Sequence, residues 1–139
     1  MTFYPAAQGT GITPLPFFGD RVAAGFPSPA QDYVEKRIDI NEICVRHPAS
    51  TYFVRATGDS MIEGNIHEGD ILVVDSSLKP QHGNIVIASV DDGFTVKRLQ
   101  LHPRAQLMPM NPAFAPILID EHSQVEIFGV VTFIIHAAL

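Results

Sequence analysis

From about residue 50 onward the chain is a series of short β-rich runs, and that pattern decides its fold class. Tyr52 to Ala56 is the first run. Asp70 to Asp75, flanked by Gly69 and Ser76, is the second. Asn84 to Val90 follows, opened by Gly83. Asp91-Asp92-Gly93 then supplies a hairpin turn into Phe94 to Leu101. Leu107-Met108 and Ile117-Leu118-Ile119 read as short strands between prolines. Val125 to Ile135 is the longest apolar run, interrupted by Gly129. Strands this short and this closely spaced predict a mostly-β body, barrel-like or sandwich-like. The sequence has no internal repeat and no low-complexity tract.

The first 29 residues are different. Nine of them are Pro or Gly, which rules out a long helix or a central strand. Yet this stretch also carries Phe3, Tyr4, Leu15, Phe17, Phe18 and Phe26. A solvated tail has no need of so many apolar side chains. The segment reads as an extended arm that docks on an apolar surface. After it, Ser28, Pro29 and Gln31 give a helix-start signal, and the helix is expected to run through Asp32 to Arg37. Asp39-Ile40-Asn41-Glu42 repeats the capping-box spacing and predicts a second short helix up to Val45.

Composition narrows the class further. A 139-residue chain with 46% hydrophobic residues can bury a core without staples. The formal charge of −6 argues against duplex DNA as the main partner, because phosphate binding needs surplus Lys and Arg. Cys44 is the only cysteine, so no intrachain disulfide can form. It reads as a buried structural thiol in a reducing compartment. No signal peptide is visible, and no apolar stretch approaches the roughly 20 residues that span a bilayer. A cytoplasmic, soluble protein is expected.

Two residues carry potential chemistry. Gly58-Asp59-Ser60-Met61 follows the first β-run. A glycine there permits a sharp turn, and small neighbours leave backbone N–H groups open to a developing oxyanion. Taken alone, the tetrapeptide is an ordinary turn. Lys97 is one of only three lysines and sits mid-strand. Strand parity puts it on one face with Thr95 and Leu99, and puts Arg98 on the other with Phe94 and Val96. On a buried face Lys97 would be driven toward its neutral form and could accept a proton from a serine. Taken alone, it also reads as an edge-strand lysine in water. The six histidines are scattered, without the spacing of a zinc site or a HExxH helix. Nothing selects one of them for a Ser–His–Asp triad. There is no GxSxG elbow, P-loop or GxGxxG.

Read in order, several blocks resemble the LexA/UmuD family of Ser–Lys autoproteases. They are Thr57-Gly58-Asp59-Ser60-Met61, Glu68 to Asp75, Gly83 to Ala88, Phe94 to Leu99, Leu107 to Asn111 and Phe128 to Val131. A short arm with Ala24-Gly25-Phe26-Pro27 narrows the resemblance to the UmuD-like members. The resemblance implies Ser60 as nucleophile, Lys97 as general base and Ala24-Gly25 as the scissile pair. It suggests the backbone N–H groups of Asp59 and Ser60 as oxyanion donors. It implies three segments: a removable arm over 1–24, a cleavage-site linker with short helices over 25–49, and a protease body over 50–139. The expected fold is the compact, mostly-β autoprotease fold of short, strongly twisted strands. No cofactor or metal is implied. The implied partners are a second copy in a homodimer, the RecA–single-strand DNA filament and a UmuC-like Y-family polymerase, with a sliding clamp as a further candidate. Only 24 residues precede the scissile bond, too few for the DNA-binding domain of a LexA-type repressor. The stretch from Gly25 to Ser60 could extend over roughly 115 Å, so reach leaves cutting within one chain or between chains open.

Overall fold

The computed structural model describes residues 3–6, 15–18 and 34–139. Among the described residues, ten strands lie in two antiparallel sheets. In the large sheet are β1 (Phe3–Pro5), β4 (Thr51–Arg55), β5 (Ile71–Asp75), β6 (Ile85–Val90), β7 (Gly93–Gln100), β8 (Gln106–Met108), β9 (Ile117–Leu118) and β10 (Val125–Ile135). Their spatial order is β1-β4-β5-β10-β6-β7-β8-β9. A two-stranded ribbon pairs β2 (Leu15–Phe18) with β3 (Val34–Ile38). The mostly-β expectation holds.

The last strand organises the sheet. The first part of β10 pairs with β6, and its second part pairs with β5. Its register slips around Phe128 and again around Thr132, so β10 carries two bulges. Gly129 sits beside the first. A Cβ there would stand 2.8 Å from Val74 Cγ1 and 3.1 Å from the Asp75 carbonyl oxygen, so only glycine lets the strands approach this closely.

Apolar side chains lie on both faces, as strand parity requires. One cluster contains Val54, Met61, Leu72, Val74, Ile87 and Val96. The other contains Val86, Ala88, Leu99, Leu107 and Val130. Neighbours along β6 alternate between the two. The β6–β7 hairpin turns on Asp91 and Asp92, both at positive φ (47° and 69°), with Val90 opposite Gly93. Two left-handed residues in a two-residue loop suit the twist of the flanking strands.

Two expectations need correction. The helix expected through Asp32 to Arg37 is not formed in its described part: Val34–Ile38 is a strand. The capping signals were local, and the antiparallel partner at Leu15–Phe18 is not. Pro16 is accommodated because a two-stranded ribbon has an outer edge where no N–H is needed. Cys44 is only partly buried rather than a core thiol, because the short helix that carries it buries none of its residues. That helix, α1 (Ile40–Cys44), forms as expected, with the Asp39 carboxylate accepting from the Asn41 N–H at 3.0 Å.

Candidate active site

Ser60 lies in the connection between β4 and β5. Gly58 enters it at φ +80°, where a side chain would be strained. Met61, 2% exposed, anchors the next residue in the core. The carbonyls around Ser60 are tied down. The Met110 N–H donates to the Ser60 oxygen at 2.8 Å, and Asn111 Nδ2 donates to the Asp59 oxygen at 2.9 Å. The Ile62 N–H also donates to the Asp59 oxygen, at 3.2 Å. The backbone N–H groups of Asp59 and Ser60 have no acceptor among the described residues. A turn with its carbonyls engaged and its amides free can receive negative charge.

Lys97 comes from β7, opposite Val86 on β6. It is 7% exposed, whereas Arg98 beside it is exposed. Its Nζ lies 3.1 Å from Ser60 Oγ, 2.6 Å from Thr95 Oγ1 and 3.2 Å from the Val96 carbonyl oxygen. Among the described residues no carboxylate forms an ion pair with it. Burial therefore acts unopposed and pushes the ammonium below its ordinary pKa of 10.5. Nζ donates to Thr95 Oγ1, the Val96 carbonyl oxygen and Ser60 Oγ; an amine that had lost one proton would keep two such bonds and hold a lone pair for the third oxygen.

The two residues share an open cleft of about 270 Å³ with Gly58, Thr95, Phe94 and Phe114 along its walls. Ser60 and Lys97 are thus together, with the Asp59 and Ser60 amides beside them. Ala24 and Gly25 lie outside the described residues. Three of the six histidines are hydrogen-bonded elsewhere: His47 with Asp75, His136 with Asp70, and His82 as acceptor for the Leu101 N–H. None bonds Ser60 among the described residues. No group of three or more potential metal ligands occurs among them either. Sequence reasoning overlooked Met110 and Asn111 as holders of the serine turn, since nothing local in that segment points to residues some 50 positions earlier. Thr95 was legible: it sits two residues before Lys97, on the same strand face.

Comparison with known proteins agrees with this fold. A family profile described as Peptidase S24-like matches residues 16–132. The chain belongs to the Peptidase S24-like family. It is 57% identical to protein SamA of Salmonella typhimurium, over 87% of this chain and 84% of that protein. It is 50% identical to protein MucA of Escherichia coli, over 93% and 89% respectively. The LexA repressor of Bordetella avium is more distant, 39% identical over 84% of this chain and 54% of the repressor. The resemblance to the UmuD-like members of the LexA/UmuD family is borne out, and with it the SOS-mutagenesis role that the resemblance implies. The chemistry is of the serine-peptidase kind.

Proposed function

We propose that the chain cuts its own backbone between Ala24 and Gly25, with Ser60 as nucleophile and Lys97 as general base. The observation that carries this reading is the buried Lys97 amine, paired with no carboxylate among the described residues and 3.1 Å from Ser60 Oγ. Neutral Lys97 takes the hydroxyl proton as Ser60 Oγ attacks the Ala24 carbonyl carbon. The Asp59 and Ser60 amides receive the oxyanion, each donor contributing about 3 kcal/mol. The C–N bond to Gly25 breaks, and Lys97 passes its proton to the Gly25 nitrogen. Water then hydrolyses the Ser60 ester, leaving a carboxylate on Ala24 and restoring Ser60. Small residues at the cut suit a cleft in which a serine and a lysine stem must both reach the carbonyl. The reading calls for no metal and no organic cofactor.

In this reading the protein is a soluble cytoplasmic homodimer. The RecA–single-strand DNA filament promotes its cleavage. The processed product serves a UmuC-like Y-family polymerase, with a sliding clamp as a further partner. Among the described residues no helix is long and apolar enough to cross a membrane. Mass spectrometry after alkaline incubation tests the core of the proposal. The unaltered chain should release a fragment ending at Ala24, and Ser60→Ala and Lys97→Ala should each stay intact. Release of that fragment by Ser60→Ala would overturn the mechanism. An uncut unaltered chain would instead favour a non-catalytic binding module of the same fold.

A further inference from the structure

Among the described residues, strand β4 has β5 along one side and, along the other, the three residues of β1. The register sets Phe3 opposite Val54, Tyr4 opposite Phe53 and Pro5 opposite Tyr52. The Ala6 N–H extends the ladder by donating to the Thr51 oxygen at 3.0 Å. Phe3 enters an aromatic pocket, with ring centroids 4.6 Å from Phe128, 4.8 Å from Phe94 and 6.3 Å from Tyr52. Phe3 is half-buried and Ala6 is buried, while Tyr4 and Pro5 between them are exposed. The segment is thus held at its two ends, by an aromatic ring and by a small residue three positions later.

So short a strand is weakly held by itself. Its occupancy rests on the covalent tether, which supplies an effective concentration in the millimolar range. β1 also lies on the N-terminal side of Ala24-Gly25. Cutting that bond leaves the arm held, among the described residues, by two short pairings, β1 on β4 and β2 on β3, and pairings this short are marginal once the covalent link is gone. The departure of β1 uncovers the backbone N–H and C=O groups of the β4 edge and the three-ring pocket together.

Building on the self-cleavage reading, we propose that this edge and the Tyr52–Phe94–Phe128 pocket form a strand-acceptor site. The chain's own N-terminus fills it before the cut. Afterwards an extended segment of a partner protein fills it, carrying an aromatic residue followed three positions later by a small one. Ladder hydrogen bonds supply sequence-independent affinity, and the pocket selects the aromatic. The chain's own Phe3-Tyr4-Pro5-Ala6 is the template for that segment.

A fluorescent peptide of residues 1–8 tests this by anisotropy. Three forms of the protein are compared: full-length Ser60→Ala, in which the site is filled; full-length Ser60→Ala with Phe3→Ala, in which it is emptied without cutting; and the self-processed chain. The peptide should bind both emptied forms at least about tenfold more tightly than the filled one, and a Phe3→Ala peptide should lose at least about tenfold. Equal binding to all three forms, or indifference to the peptide's Phe3, overturns the proposal. Displacement of the peptide from processed chain by excess full-length Ser60→Ala chain would seat a second copy's N-terminus there and overturn the partner assignment. Absence of any cut refutes the self-cleavage reading alone, because the doubly substituted chain needs no cut to decide the question of the site.

Discussion

If neutral Lys97 is the base, the rate of self-cleavage must follow the fraction of lysine that has lost its proton. Below the pKa of the folded lysine that fraction rises about tenfold per pH unit, so about a hundredfold between pH values two units apart. The rise levels off at the folded pKa, which burial places below 10.5. Lys97→Arg isolates the base from the cation. An arginine stays charged across this range, so cleavage should fall by about 10² to 10⁴ at every pH. Thr95→Val gives a finer test. Thr95 Oγ1 accepts from Nζ at 2.6 Å and favours the charged form more than the neutral one. Removing it should move the plateau to lower pH. It should also reduce the plateau rate by about tenfold, because one of the two bonds that turn the lone pair toward Ser60 is gone. The assay is the appearance of the shortened chain, by electrophoresis or mass spectrometry, over a pH series at constant ionic strength. Cleavage that survives Lys97→Met with an unchanged pH profile would refute the argument and transfer the proton to another group.

Two further predictions concern the scaffold. Gly129→Ala should destabilise the protein by about 1–3 kcal/mol, read as a lower urea midpoint, because its Cβ would meet Val74 Cγ1 at 2.8 Å. Asp75 should govern part of the acid limb of stability. Burial raises its pKa, but hydrogen bonds from the Ser77 hydroxyl, His47 and the Ser77 N–H, together with the charge of His47, outweigh that and leave it below 3.8. A carboxylate depressed in the folded state contributes stability above its unfolded pKa and loses it as pH falls through the folded one. Urea unfolding below about pH 4 should therefore be less pH-dependent in Asp75→Asn than in the unaltered chain.

The strands of the body were legible because each carries its own signal: a β-branched run bounded by glycine, proline or aspartate. Val34–Ile38 was not, because its pairing with Leu15–Phe18 is settled by a segment some twenty positions away. β1 illustrates the same limit from the other side. Phe3 and Tyr4 marked the arm as a docking element, but Pro5 argued against a central strand. The structure reconciles the two by placing β1 at the rim of the sheet, where a missing N–H costs no ladder bond.

The candidate site was legible by a different route, and its logic depends on topology. The expectation for Lys97 turned on which face of its strand is buried. Over Thr95 to Lys97 β7 pairs with β6 alone, β8 joining only from Arg98 to Gln100, yet Lys97 and Leu99 on the shared face are buried. Burial of that face, rather than any particular neighbour, lowers the lysine's pKa. The serine needed the opposite treatment. It had to stay reachable, so it sits on a turn whose carbonyls are tied down by Met110 and Asn111, not inside a strand. The proposed base is buried and the proposed nucleophile half-buried, and the two come from different elements. The fold brings them within 3.1 Å from positions 37 residues apart, and Thr95, one strand alternation from Lys97, accepts from its amine at 2.6 Å.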